Sequence, residues 1–248
     1  MTYCVGMIVD NGLVMVSDSR TNAGVDHISV YRKMQVWEKT GDRVLMLASA
    51  GNLAITQATL NRLNEGLIAD RDNGHEPETM LTVDSMRGAA QLVGRAVREV
   101  HELDAEAMEA QGAEFTVSFL LGGQIAGGSL RLFLIYAAGN FIEATPETPF
   151  FQIGETKYGK PILDRLARHD LALHDAAKMA LISMNSTIRS NISVGLPLDL
   201  VIVNRDSMML NHHVVINEDD PYYNDLGQNW SRALGSAFEG LPRAPWGD

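Results

Sequence analysis

The chain has 248 residues, 46% hydrophobic and 21% charged, with a formal net charge of −11 and a single cysteine, Cys4. At this length roughly three quarters of the unfolded surface can be buried without a disulfide or metal staple, and one cysteine with no CxxC or His/Cys cluster excludes an internal disulfide and a zinc finger. The acidic balance argues against nucleic acid as a partner, because phosphates require a basic surface. There is neither a signal-peptide pattern nor an apolar run near the ~20 residues that cross a bilayer, so the expectation is a soluble cytoplasmic protein with no membrane partner and no cofactor.

Residues 2–9 read as a strand. Asp10-Asn11-Gly12 reads as a tight hairpin turn, since Asn-Gly accepts positive φ, and residues 13–16 as the returning strand, which ends at Ser17-Asp18-Ser19-Arg20. Thr21-Asn22-Ala23-Gly24 reads as a polar loop. A second hairpin is expected over 33–38 and 43–50, turned at Thr40-Gly41-Asp42. Apolar residues then recur at helical spacing over 53–67. They do so again in a long helix capped by Thr82 or Asp84, where Met86, Ala90, Val93, Val97 and Val100 share a face. Strand character returns over 116–121, 130–137 and 141–144, followed by helices over 157–168 and 174–189 and strands over 199–203 and 208–216. Strands grouped apart from helices favour antiparallel sheets covered by helices over alternating βαβ units. One domain is expected over 1–217. The acidic, aromatic tail 218–248, with Tyr222, Tyr223, Trp230 and Trp246, is expected to pack on that domain or on a neighbouring subunit.

Three residues carry the chemistry. Removal of Met1 leaves Thr2 with a free hydroxyl and a free α-amine, whose ordinary pKa near 8 makes a useful fraction neutral at cellular pH. Nucleophile and general base then reside in one residue. Lys33 is the expected electrostatic partner, favouring the alkoxide and a neutral amine, and Asp18, at the end of the second strand, is its counter-ion. Cys4 shares the Thr2 face of the strand by alternation and is expected to be a buried structural thiol. The seven histidines show no metal-ligand spacing.

The opening TYCVGMIVDNGLVMVSDSRTNAG followed by YRKM resembles the start of proteasome β-subunits and the bacterial HslV peptidase. With ASAGNLA at 48–54 and the C-terminal extension, it is most similar to the Anbu (ancestral β-subunit) branch. The resemblance implies an α+β fold, a four-layer αββα sandwich of the N-terminal-nucleophile (Ntn) hydrolase type, and a threonine peptidase acting on peptides or proteins through an acyl-enzyme. It also implies self-assembly into a ring or an open helical ring. No P-loop is present, so an ATPase or accessory protein that feeds the site would be a separate chain. An oxyanion hole is implied from the backbone N–H of Ala50 or Gly51, and Tyr31, Thr21, Ala48 and Asn52 are implied to line the pocket. The family's supporting serine aligns with Glu155, its aspartate with Asn191, and its second serine, displaced by one, with Ser193. Asn191 is expected to orient the α-amine through its side-chain oxygen without bringing a charge. Two other functions share these residues: an amidohydrolase of small non-protein amides, and a non-catalytic assembly subunit.

Overall fold

The computed structural model describes residues 1–22, 28–68 and 76–246. The first hairpin pairs β1 (Tyr3–Val9) with β2 (Gly12–Asp18), and a short ribbon of β3 (Arg20–Asn22) and β4 (Ile28–Val30) follows. Next come β5 (Met34–Lys39), β6 (Arg43–Gly51), α1 (Leu53–Glu65), α2 (Met86–Ala110), β7 (Val117–Ile125), β8 (Arg131–Ile135), β9 (Phe141–Glu143) and β10 (Phe150–Gly154). The chain then forms α3 (Lys160–Leu166), α4 (Leu173–Ser190), β11 (Leu198–Asn204), β12 (His212–Ile216) and α5 (Pro221–Glu239). Two five-stranded antiparallel sheets result, in the orders β10-β1-β2-β11-β12 and β5-β6-β7-β8-β9.

Three apolar layers hold these sheets and helices together, which makes the expected αββα sandwich. Both central strands of the first hairpin are buried on both faces, so they read as continuous apolar runs rather than alternating ones. Alternation still sorts their side chains. Val5, Met7, Val14 and Val16 pack toward α3 and α4, while Cys4, Ile8, Leu13 and Met15 meet the other sheet. On the far side, Leu45, Leu47, Phe119 and Leu121 pack beneath α1 and α2. Phe119 is fully buried there, so Phe119→Ala should cost about 3–5 kcal/mol, read as a lowered urea midpoint with an unchanged slope.

Several local expectations are corrected. The first turn is the two-residue Asp10-Asn11 link, with Val9 paired to Gly12, and no residue in it has positive φ. Glycine is needed at 12 because a Cβ there would lie 2.4 Å from the Val203 carbonyl oxygen on β11. The cap of α2 is Ser85, whose hydroxyl accepts the Gly88 N–H at 3.0 Å. Thr82 is instead committed to Thr79, accepting its N–H at 2.8 Å. The segment read as a polar loop from Thr21 forms β3 through Asn22, and its remaining residues, Ala23 and Gly24, lie outside the described ones. Strand β10 is an addition to the expected elements, lying between the strand expected over 141–144 and the helix expected from 157. It is the edge strand beside β1, pairing Gly154 with Tyr3. Helix α5 anchors through Tyr223, which is buried, whereas Leu234 and Phe238 are exposed. Among the described residues no helix is long and apolar enough to cross a membrane.

Candidate active site

The register of the first hairpin brings its two ends together. Cys4 pairs with Ser17, so Tyr3 and Asp18 meet one step further out, and the Tyr3 N–H donates to Asp18 Oδ1 at 3.0 Å. Thr2 therefore sits beside the Asp18 carboxylate. Tyr3 is itself fixed from the helix side: its hydroxyl lies 2.6 Å from Ser183 Oγ on α4 and accepts from Gln152 Nε2, and burial pushes its phenol up to about 12.

Lys33 arrives from the other sheet. It immediately precedes β5, and its carbonyl accepts the Ser49 N–H of β6 at 3.0 Å. From there Nζ donates to Asp18 Oδ1 and to the Arg20 carbonyl, both at 2.7 Å. The two side chains are 6% and 0% exposed. Burial pushes the Asp18 carboxyl up, and the Lys33 ammonium, the Tyr3 N–H and the Gly195 N–H pull against it. With an ammonium at 2.7 Å and two backbone donors on one carboxylate, the ionised pair is the form this geometry satisfies. Asp18 and Lys33 are thus joined directly, and Thr2 lines the same cleft as Lys33.

The terminal amine, that of Met1, is held below its ordinary value by burial and by Lys33, while Asp18 and Glu155 act in the opposite direction. The Thr2 carbonyl accepts the Glu155 N–H at 2.7 Å. Gly154 passes so close, at φ +81, that a Cβ would stand 1.9 Å from the same oxygen.

Thr2 and Lys33 open onto a cleft of about 560 Å³, walled also by Tyr31, Gly51, Thr116 and Glu155. Strand alternation separates the two candidate oxyanion donors. Ser49 N–H bonds toward β5, at Lys33, and Asn52 N–H bonds the other way, to the Thr116 carbonyl. Alternate peptide groups of a strand point to opposite sides, so Ala50 N–H faces β7. Gly51 N–H faces the side where β5 has ended and the cleft begins.

Of the implied pocket residues, Thr21 and Tyr31 line the cleft. Ala48 does not, because it is buried between the sheets, and Asn52 caps α1 by accepting the Ala54 N–H at 2.9 Å. Leu53 and Thr56, which the sequence did not single out, line the cleft in their stead. Asn191 is held by two hydrogen bonds. Its oxygen already accepts the Ser193 N–H at 2.9 Å, and its Nδ2 donates to Glu155 Oε2 at 3.0 Å. Ser193 is not among the residues that line the cleft, and its N–H donates to Asn191 Oδ1. Cys4 is fully buried, its thiol pushed up by burial and its Sγ directed at the Ser49 carbonyl at 3.7 Å. Among the described residues no three His, Cys, Asp or Glu side chains are grouped to hold a metal.

Comparison with known proteins adds the family. The profile of proteasome subunits matches residues 2–203. Solved structures similar along almost the whole chain include a Gly-1 mutant of Anbu from Hyphomicrobium sp. strain MC1, with 48% identity, 99% of this chain and 100% of that one covered, and a TM-score of 0.90. Anbu from Yersinia bercovieri is also 48% identical, with the same coverage and a TM-score of 0.89. The helical assembly of the Anbu complex from Pseudomonas aeruginosa is 46% identical, covers 98% of each chain and has a TM-score of 0.90. A search of curated protein sequences gave no significant match. With the fold, the Asp18–Lys33 pair at the chain start and these likenesses together, the chain belongs to the proteasome-subunit family and, within it, to the Anbu branch of ancestral β-subunits.

Proposed function

We propose that the chain is a threonine-type endopeptidase whose nucleophile is Thr2 once Met1 is removed. The observation that carries this reading is the buried Lys33–Asp18 pair, joined at 2.7 Å and tied to the Tyr3 amide next to Thr2. An ion pair is expensive to bury, and here it lies where an ammonium can favour an alkoxide and a neutral amine. In the proposed reaction the Thr2 hydroxyl proton passes to the α-amine as Oγ bonds to the scissile carbonyl carbon. The Gly51 N–H supports the oxyanion, with Ala50 shaping its strand. The ammonium then returns the proton to the leaving amine as the C–N bond breaks. Water, giving a proton to the same amine, bonds to the acyl carbon, the Oγ–acyl bond breaks, and the ammonium returns that proton to Thr2 Oγ as the acid leaves.

Residues 1–217 are proposed as the catalytic domain and 218–248 as an extension. Its Tyr223 end packs on the domain, while Phe238 and Trp246, 77% and 80% exposed, are offered to a neighbouring subunit. The helical assembly of the similar Pseudomonas aeruginosa protein favours self-association into a ring or an open helical ring. Peptide or protein segments are the proposed substrates, delivered by a separate ATPase or accessory protein. Asn191 and Ser193 are proposed to support the site from behind.

The test combines intact mass, size-exclusion mass and labelling with a peptide epoxyketone. Loss of Met1, one adduct on Thr2 and no adduct on Thr2→Ala are expected. Met1 retained in the cell-made protein, or equal labelling of Thr2→Ala, defeats the proposal. Labelling without cleavage of any peptide points to a small amide as substrate instead. The pH dependence has a definite sign: burial and Lys33 lower the proton affinity of the Met1 amine, and the Thr2 amine, exposed at the same site by trimming, is proposed to be lowered in the same way. The reactive neutral amine is therefore present above a midpoint below about 8, and labelling should fall as pH drops through that midpoint.

A further inference from the structure

Glu155 is a buried acid, 7% exposed, on the cleft wall, and the mechanism above gives it no work. Two contacts fix it against the chain start. Its own N–H donates to the Thr2 carbonyl at 2.7 Å. Its Oε2 accepts from Asn191 Nδ2 at 3.0 Å. That same amide nitrogen lies 3.9 Å from Met1 Sδ, so carboxylate, amide and terminus are neighbours. The second oxygen, Oε1, has Lys157 Nζ at 3.5 Å, but that lysine is 72% exposed and its charge is screened by solvent. A carboxylate offers about four acceptor positions. With one amide donor and one distant surface ammonium, Glu155 keeps capacity for another cation.

We propose that Glu155 is the positioning residue for the N-terminal amine. Its carboxylate holds the Thr2 α-amine after Met1 has gone and stabilises the ammonium formed when the amine takes the hydroxyl proton, while Asn191 orients the carboxylate. The inference rests on the threonine-peptidase reading for its consequence, but not for its test. No new bond to Glu155 is made; the proton moves from Thr2 Oγ to the α-amine and on to the leaving group as described above. In the untrimmed chain Glu155 acts on the Met1 amine, one residue before Thr2, against burial and Lys33. Asn191, whose oxygen is taken by Ser193, contributes by donating to Glu155.

The test uses the full chain released from a fusion cleaved directly before Thr2, so that processing in the cell plays no part. The amine midpoint is read from the pH dependence of acetic anhydride labelling at Thr2, and activity from epoxyketone labelling. Glu155→Gln should lower the midpoint by about one pH unit, a roughly tenfold loss of basicity. Glu155→Asp should restore part of it, and Asn191→Ala should give a smaller shift in the same direction. Equal midpoints in Glu155→Gln and the unsubstituted chain overturn the inference. If Glu155→Gln does not fold, an unshifted midpoint in Asn191→Ala overturns it. Epoxyketone labelling that fails in the unsubstituted chain while the midpoints shift as stated overturns the peptidase reading and leaves the role of Glu155 standing.

Discussion

Lys33→Met is expected to reduce epoxyketone labelling of Thr2 at least about a thousandfold, because the ammonium acts as one unit with nucleophile and amine. It should also destabilise the fold by about 3–5 kcal/mol, since Asp18, fully buried, would keep a charge with no partner. The two effects have separate causes, and a second substitution separates them. Asp18→Asn added to Lys33→Met removes both charges yet leaves a side-chain oxygen for the Tyr3 N–H, which now donates to Asp18 at 3.0 Å. Stability should largely return in the double variant while labelling stays lost. Labelling that recovers along with stability would mean that Lys33 serves the fold alone, and urea denaturation beside a labelling time course decides between the two.

Gly51→Ala is expected to slow labelling by about 100- to 1,000-fold, the usual effect of losing one oxyanion donor. At φ +122 a side chain is strained, and a Cβ would stand 2.2 Å from the Thr116 carbonyl oxygen. The Gly51 peptide must therefore rotate or the end of β6 must leave β7. Either movement turns the N–H out of the cleft while the strand pairs closer to the centre of β6 hold. Ala50→Gly is the contrasting variant. Its N–H faces β7, so it should change the labelling rate by less than about tenfold. The opposite ranking, with Ala50→Gly the slower of the two, would sink the assignment of Gly51.

Much of the site was legible because it is built from one hairpin and its sequel. Antiparallel pairing of two short strands must bring residues near 2 and 18 together, and the strand beginning after Lys33 belongs to the opposing sheet. The grouping of strands and helices likewise announced two antiparallel sheets with helices outside. Strand β10 escaped notice because Phe150–Gly154 is too short, and too closely flanked by proline, to show a period. The end of the expected helical run at 67 was misjudged by two residues, for Gly66 at φ +89 closes α1. The engagement of the Asn191 oxygen by Ser193, two residues on, was a local option open to any Asn-x-Ser segment.

The sequence by itself pointed to antiparallel sheets covered by helices and to Asp18 as the partner of Lys33, since the first follows from the grouping of apolar patterns and the second from charge and strand position. Only the tertiary structure decided between Ala50 and Gly51, brought the Gly195 amide to Asp18 and joined Asn191 to Glu155. Those choices depend on the register between strands and on contacts spanning 177 and 36 residues of chain. Such contacts arise when whole layers pack, and no stretch of sequence records the distance between its own ends.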